Sequence, residues 1–201
     1  MTIAIIGKGN VGSAIGAGWA AAGHEVVYGV RTPSAANEVA PAEAAARADV
    51  VVIATPWNAV EGVIASAGGL KGKTVIDCTN PLAMVEGRLQ LAMGHTTSGG
   101  ETVARLAPEA FVFKTLIQSG AENLGGAKSF ATPPVMFVAG DDAARKAVVL
   151  GLVGDLGFEP VDAGPLVNSR LLEAFAMLWI DQALFRGAGR KFAFARVHPA
   201  R

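Results

Sequence analysis

Three glycines near the start of the chain have the spacing of a phosphate-binding turn. Gly7, Gly9 and Gly12 follow the apolar segment 2–6 and precede a small-residue segment, 10–22. In a G-x-G-x-x-G pattern the first glycine forms a tight turn, the second lets a diphosphate approach the backbone, and the third lets the helix pack on the strand. The amides at the helix start then attract phosphate without a side-chain cation. The pattern predicts a dinucleotide site; a purely structural glycine turn is the alternative.

The tip of the second predicted strand, 25–30, indicates which dinucleotide binds. An NAD site has Asp or Glu there, about 20 residues after the glycines. This chain instead has Arg31, Thr32 and Ser34, whose guanidinium and hydroxyl groups suit a 2′-phosphate. Lys8, inside the glycine turn, is a second cation that could reach this phosphate; the alternative for each basic residue is an exposed, solvated cation. We expect NADP rather than NAD, and no acidic residue at the tip.

The rest of the chain alternates between strand and helix patterns. Strands are expected at 49–56, 74–81, 111–116, 134–140 and 158–161, and helices at 34–48, from 57 onward, and at 101–106, 141–154 and 171–185. This alternation predicts an α/β fold, a doubly wound parallel Rossmann sheet with a small helical C-terminal portion. We divide the chain into an NADP-binding Rossmann domain, 1–120, and an acceptor-side and dimerisation portion, 121–201, packed as one compact unit. Segment 82–100 is predicted to be an irregular, mobile loop.

Ligands of such sheets bind outside the carboxyl ends of the strands. The loops 55–57 and 79–81 follow two of these strands and are therefore expected at the cofactor crevice. Trp57 could form a wall of the site or belong to the core. The predicted cofactor-binding residues are Gly7, Lys8, Gly9, Asn10, Val11, Gly12, Arg31, Thr32, Ser34, Thr55, Pro56, Trp57, Val60, Asn80 and Thr115.

Composition excludes several classes of function. Seventeen basic and seventeen acidic residues cancel, which disfavours nucleic acid and anionic membranes as partners. One cysteine, Cys78, permits no intrachain disulfide, and no Cys/His cluster has the spacing of a metal site. No uncharged run approaches the length of a membrane span, and the first strand begins without a leader pattern. We expect a cytoplasmic, metal-free protein. Its apolar content, 51%, and its apolar last helix favour a homodimer.

Few side chains are candidates for catalysis, and we assign no catalytic residue. His24 and His198 lie away from the expected crevice, whereas His95 in the irregular loop could reach a substrate or could simply be solvated. Cys78, in a predicted buried strand, is expected to pack rather than react. Asp141 and Asp142 are expected to cap a helix. Asn168 and Arg170 open the last helix, where they either cap it and pair with Glu173 or face an acceptor.

Motifs along the whole chain resemble the NADPH:5-deazaflavin coenzyme oxidoreductases. Besides the glycine turn and Arg31, the resemblance includes the segments 23–27, 56–57, 120–124, 137–142, 162–173 and 191–194. The family implies an N-terminal part that binds NADP and a small C-terminal part that closes over a deazaflavin. It also implies hydride transfer between nicotinamide C4 and deazaflavin C5.

By this resemblance, residues 8–11 would follow the diphosphate, Arg31 and Thr32 would hold the 2′-phosphate, and Trp57 would border the nicotinamide end. The chain departs from the family at three places. Lys8 often corresponds to threonine and Val30 to serine, so charge would contribute more than hydroxyl groups to 2′-phosphate recognition. After the fifth predicted strand, relatives often have Asn-Thr or His-Thr where this chain has Ile117-Gln118, which leaves the acceptor open.

Three functions are consistent with these patterns. The first is an NADP-dependent oxidoreductase that transfers hydride to a small flat acceptor such as a 5-deazaflavin; two stacked rings need alignment rather than a general acid. The second is an NADPH-dependent imine or keto-acid reductase, which would need a proton donor, for instance His95 or Lys114. The third is a binding module that senses NADPH without turnover.

Overall fold

The computed structural model describes residues 1–199, which form ten strands and seven α-helices. The strands are β1 (Thr2–Ile6), β2 (Glu25–Gly29), β3 (Glu38–Val39), β4 (Val50–Ile53), β5 (Thr74–Asp77), β6 (Leu82–Val85), β7 (Arg88–Leu91), β8 (Phe111–Lys114), β9 (Val135–Gly140) and β10 (Glu159–Asp162). The helices are α1 (Asn10–Ala21), α2 (Pro41–Arg47), α3 (Val60–Ser66), α4 (Gly99–Leu106), α5 (Ala121–Leu124), α6 (Ala143–Asp155) and α7 (Ser169–Phe185).

Eight of these strands form one sheet in the order β10-β9-β8-β5-β4-β1-β2-β3. Every neighbouring pair is parallel except β8 and β9, which are antiparallel. The predicted Rossmann-like α/β fold is therefore confirmed, with a mostly parallel sheet and a helix, α7, at its C-terminal side. Because β1 pairs with both β2 and β4, the strand order reverses there, and a crevice opens beyond the carboxyl ends of these strands.

Helices cover both faces of the sheet, which explains why the strand sequences are continuous apolar runs. On one face, Trp19 of α1 packs with α6 and donates from its indole nitrogen to the carbonyl of Leu152, 2.8 Å away. On the other face, α2, α3 and α4 contribute Ala44, Ile64 and Val103. The sheet continues through β9 and β10, beyond residue 120. The division into 1–120 and 121–201 stays a prediction, and its residues 200 and 201 lie outside the described part of the chain.

Two short features differ from the sequence-based expectation. The predicted helix 34–48 begins only at Pro41, and β3 precedes it as an edge strand of the sheet that the sequence did not predict. A two-residue strand has no periodic pattern that sequence could reveal. The predicted irregular segment 82–100 contains the hairpin β6–β7, whose turn residues Glu86 and Gly87 both have positive φ, as two-residue hairpins require.

Candidate functional site

The glycine turn between β1 and α1 has the backbone geometry that the sequence pattern predicts. Gly7 adopts a φ of +106°, which favours glycine. A Cβ at Gly12 would lie 2.1 Å from the carbonyl oxygen of Gly7, so only glycine allows this contact. A Cβ at Gly9 would meet nothing within 4 Å, because this residue faces open space at the start of α1. No side chain caps α1 and no acidic residue lies in its first turn, so its amides are left for an anionic ligand.

A cleft of about 930 Å³ lies beside the turn, on the side of α2 and α3. The predicted site residues that line it are Gly7, Lys8, Arg31, Thr32, Thr55 and Pro56. Its other walls come from β2 and from α3, which adds the apolar side chain of Val63. An apolar wall next to exposed cations suits an adenosine that carries a phosphate.

A second cleft, of about 340 Å³, lies at the ends of β4 and β5. The predicted site residues that line it are Gly9, Asn10, Val11, Thr55, Pro56, Trp57 and Asn80. Because Thr55 and Pro56 line both clefts, the two are contiguous. Thr55 Oγ1 and Asn80 Oδ1 are buried and have no hydrogen-bond partner within the described residues. Buried polar atoms are rarely left unpaired, and both therefore fit the polar groups of a bound cofactor.

Four predicted site residues line neither cleft. Gly12 is buried beneath the turn, as its packing role requires. Val60 and Thr115 are buried in the protein, although Thr115 Oγ1 also lacks a partner among the described residues. Ser34 faces β3 rather than the cleft, since its amide and its hydroxyl both donate to Glu38.

The expected absence of an acidic residue near the tip of β2 is wrong, because β3 places Glu38 there. The Glu38 carboxylate accepts hydrogen bonds from Lys8 Nζ at 2.5 Å, Ser34 N at 2.7 Å and Ser34 Oγ at 2.9 Å. These bonds, from Lys8 first and then from Ser34, lower the pKa of Glu38 to about 2. Arg31 is exposed and forms no ion pair within residues 1–199, so its guanidinium can meet a phosphate.

A fully buried ion cluster lies at the carboxyl ends of β5 and β8. Lys114 Nζ lies 2.8 Å from Asp77 Oδ2, 2.9 Å from Glu173 Oε1 and 2.6 Å from the carbonyl oxygen of Thr79. The Glu173 carboxylate also accepts from the amides of Gly99 and Gly100. Burial opposes the charged form of Lys114, but Asp77 and Glu173 outweigh it and raise its pKa. Sequence reasoning missed this cluster.

The titratable side chains considered as proton donors are either buried or distant from the two clefts. Lys114 is completely enclosed and its three donor positions are occupied, so it does not face either cleft. His95 is exposed and lines neither cleft. His24 pairs with Asp155 before β2, at the opposite edge of the sheet. Burial raises the pKa of the Cys78 thiol, which keeps this residue of the smaller cleft in its neutral form.

The start of α7 also differs from expectation. Arg170 pairs with Glu101 of α4 through two nitrogens, at 2.9 and 2.7 Å, and not with Glu173. Asn168 does not cap the helix; its side chain donates to the carbonyl of Ala163. Asp142 does cap α6, by accepting from Arg145 N, whereas Asp141 accepts from Leu166 N.

No group of three or more potential ligands for a metal ion occurs within residues 1–199. Over the same residues, none of the helices combines the length and apolarity needed to cross a bilayer.

Comparisons with known proteins agree with this geometry. The model of the family described as "NADP oxidoreductase coenzyme F420-dependent" matches residues 2–81. The structure of a proposed F420-dependent NADP reductase from Arthrobacter sp. FB24 is 32% identical, has a TM-score of 0.90, and is matched over 98% of this chain and 100% of its own.

Two further proteins are more distant. The rat metalloreductase STEAP3 (Rattus norvegicus) is 26% identical over 87% of this chain, which spans only 36% of that longer protein. A reductive aminase from Aspergillus terreus, solved with NADPH, is 23% identical with a TM-score of 0.69; 92% of this chain matches 62% of its length, and it shows the shared fold alone. From the turn, the clefts and these matches together, the chain belongs to the NADP oxidoreductase family that depends on coenzyme F420, a 5-deazaflavin, and thus to the NADP-dependent oxidoreductases.

Proposed function

We propose that this protein binds NADP(H) across the two contiguous clefts and transfers hydride between the nicotinamide and a flat acceptor of the 5-deazaflavin type. The observation that carries the proposal is the continuity of the site. A turn with free amides lies between a cleft bordered by Arg31 and a cleft that holds the unpaired Thr55 and Asn80 oxygens. A phosphate-bearing adenosine fits the first cleft and a nicotinamide fits the second.

NADPH, when bound, supplies a hydride from C4 of its nicotinamide, and C5 of a deazaflavin accepts it. The protein's own groups bind this cofactor and orient its nicotinamide. The amides at the start of α1 hold the diphosphate, and Arg31 with Thr32 holds the 2′-phosphate. Thr55 Oγ1 and Asn80 Oδ1 fix the nicotinamide end, and Trp57 closes the smaller cleft. Catalysis by alignment needs no acidic side chain.

Reduction of an imine or keto acid has less support, because it requires a proton donor in the cleft. The residues that line the smaller cleft include no carboxylate, histidine or lysine. Both earlier candidates, His95 and Lys114, lie outside it. A sensing module without turnover is the remaining alternative, and kinetics will distinguish it.

The activity test measures NADPH oxidation by the purified protein with a 5-deazaflavin, a flavin, and a panel of imines and keto acids. We expect turnover with the deazaflavin to exceed all others. Turnover confined to imines or keto acids would overturn the acceptor class, and tight NADPH binding with no turnover would favour the sensing module.

Fluorescence titration tests the cofactor geometry. Arg31→Ala should weaken NADPH binding about 10- to 100-fold, as expected for the loss of a charged hydrogen bond, and leave NADH binding nearly unchanged. Arg88→Ala is the matched control, because Arg88 is an exposed cation on β7 outside both clefts. Equal losses for the two nucleotides would contradict the role of Arg31.

We also propose that the protein is a homodimer through α7. Leu171, Leu178 and Phe185 lie seven residues apart on this helix and are 67%, 49% and 55% exposed. Such an apolar stripe favours burial against a second copy. Leu178→Glu should shift the mass measured by sedimentation from dimer to monomer. Val148→Glu, at an exposed apolar position on α6, is the control and should leave the measured mass unchanged. A cytoplasmic location stays a prediction from sequence.

A further inference from the structure

The Glu38 carboxylate, on the edge strand β3, accepts hydrogen bonds from three donors of different kinds. An ammonium group, a backbone amide and a hydroxyl, from Lys8 and Ser34, all point to it. An ammonium, an amide and a hydroxyl together are the donors that bind a phosphate oxygen. The two residues that supply them, with Arg31 and Thr32, are the ones the sequence assigns to the 2′-phosphate.

Lys8 is placed so that it can bind either the Glu38 carboxylate or a 2′-phosphate in the larger cleft. Its backbone belongs to the glycine turn and it lines the larger cleft together with Arg31. Its side chain extends over the ring of Tyr28, 5.0 Å from the centroid, to reach Glu38 on β3. Lys8 keeps 36% of its side chain exposed, whereas Glu38 keeps only 7%. The exposed side chain of Lys8 can therefore turn towards the cleft, while the nearly buried carboxylate of Glu38 remains on β3.

We propose that Glu38 is a specificity-determining residue: its carboxylate occupies Lys8 and Ser34 in the free protein and competes with the 2′-phosphate for them. This inference rests on the proposed function. NADP(H) must displace Lys8 from an ion pair before Lys8 can bind the phosphate, whereas NAD(H) leaves the pair intact. Glu38 thus lowers the advantage that Arg31 gives to NADP(H). The low pKa of Glu38 keeps its charge present throughout the physiological range of pH.

Glu38→Gln tests this competition. A glutamine oxygen can still accept from Ser34, so the loop after β2 keeps its hydrogen bonds, but Lys8 loses its counter-charge. Calorimetric titration with 2′,5′-ADP and with 5′-ADP isolates the 2′-phosphate from any catalysis. We expect Glu38→Gln to bind 2′,5′-ADP about two- to fivefold more tightly, the effect of one exposed ion pair, and to bind 5′-ADP with nearly the affinity of the wild type.

Two controls make the result specific. Glu43→Gln removes the same charge from α2, where Glu43 pairs with Arg47, and should not change 2′,5′-ADP affinity by more than about twofold. In a Lys8→Met background, Glu38→Gln should no longer tighten 2′,5′-ADP, because the Lys8 ammonium group is absent and a glutamine oxygen still accepts from Ser34. Thermal melts establish that each variant is folded.

Weaker or unchanged 2′,5′-ADP binding by Glu38→Gln overturns the inference, as does a gain that persists without Lys8. These outcomes differ from failure of the proposed function. If the wild type prefers 2′,5′-ADP to 5′-ADP while Glu38→Gln gains nothing, only the competition is wrong. If the wild type binds neither nucleotide, both the site and the competition are wrong.

Discussion

Gly9 and Gly12 lie three residues apart in one motif, but their surroundings impose different requirements. Around Gly12 the backbone carbonyl of Gly7 leaves no room for a side chain. Around Gly9 there is room for one, but that space is the expected path of the diphosphate. We therefore expect the fold to require Gly12 and dinucleotide binding to require Gly9.

Alanine substitutions separate these roles. Gly12→Ala should lower the free energy of unfolding by about 3 kcal/mol, because its Cβ would overlap a backbone atom that cannot move freely. Gly9→Ala should change stability by less than about 1 kcal/mol but weaken NADPH binding about tenfold or more. Urea unfolding and fluorescence titration measure the two effects. Gly151→Ala, at an open helical position on α6, should neither lower the free energy of unfolding nor weaken NADPH binding. Equal loss of stability in both turn variants would refute the distinction.

The backbone geometry of the glycine turn and the position of Arg31 beside the larger cleft could be predicted from sequence, because each depends on a short segment of the chain. Sequence could not predict the partners of Lys8 or Lys114. Lys8 and Glu38 are 30 residues apart, and Lys114 and Asp77 are 37 apart, so tertiary structure alone brings them together. For the same reason, sequence could not predict that Arg170 pairs with Glu101 rather than with Glu173, which is closer in the sequence.

At the scale of elements, α7 is attached to the sheet by charge as well as by apolar packing. Glu173 on α7 contacts Lys114 on β8 and the first amides of α4. Arg170, one turn earlier, contacts Glu101 on α4. These bonds fix the last helix at the carboxyl edge of the sheet, where the smaller cleft also lies.

Lys114→Met should lower the free energy of unfolding by about 3–5 kcal/mol, because it leaves two buried carboxylates without a counter-charge. Urea unfolding followed by circular dichroism measures this loss. Lys71→Met removes the exposed pair with Glu109 and should cost less than about 1 kcal/mol. A loss for Lys114→Met as small as that of this control would show that the cluster is not stabilising.

Element prediction succeeded where the pattern is long and failed where it is short. The buried strands are short apolar runs and α7 is predominantly apolar over 17 residues, and the structure places them close to the predicted bounds. β3 has only two residues, the four residues of β6 are all apolar, and β7 alternates between polar and apolar residues over only four positions. Because β3 was not predicted, the carboxylate of Glu38, which β3 places beside the candidate site, was not predicted there either.

Across the whole molecule, acidic pH should destabilise the fold through paired carboxylates. Hydrogen bonds from Arg170 and from Lys146 lower the pKa values of Glu101 and Asp162, and Lys8 and Ser34 do the same for Glu38. A carboxylate with a lowered pKa stabilises the fold above its ordinary pKa, near 4, and this contribution is lost as the pH falls through the folded value. Lys114 has a raised pKa, so its contribution is instead lost in strong alkali.

Urea unfolding should therefore give a nearly constant free energy between about pH 5 and 9 and a steady decrease from about pH 4.5 towards pH 2. Glu101→Gln should be less stable than the wild type at neutral pH and should lose less stability on acidification. A wild-type stability that rises below pH 4.5 would show that these pairs do not stabilise the native state.

The buried lysine cluster also limits how the molecule can open. Detaching α7 alone would remove Glu173 from Lys114, which would keep Asp77 and the Thr79 carbonyl, and would leave the Gly99 and Gly100 amides of α4 without their acceptor; breaking such a buried pair costs about 3–5 kcal/mol. We therefore expect the backbone amides of α7 to exchange with solvent more slowly than those of a terminal helix that lacks such buried polar bonds. A fragment that ends before α7 would lack Glu173, one of the two carboxylates that pair with the buried ammonium group of Lys114.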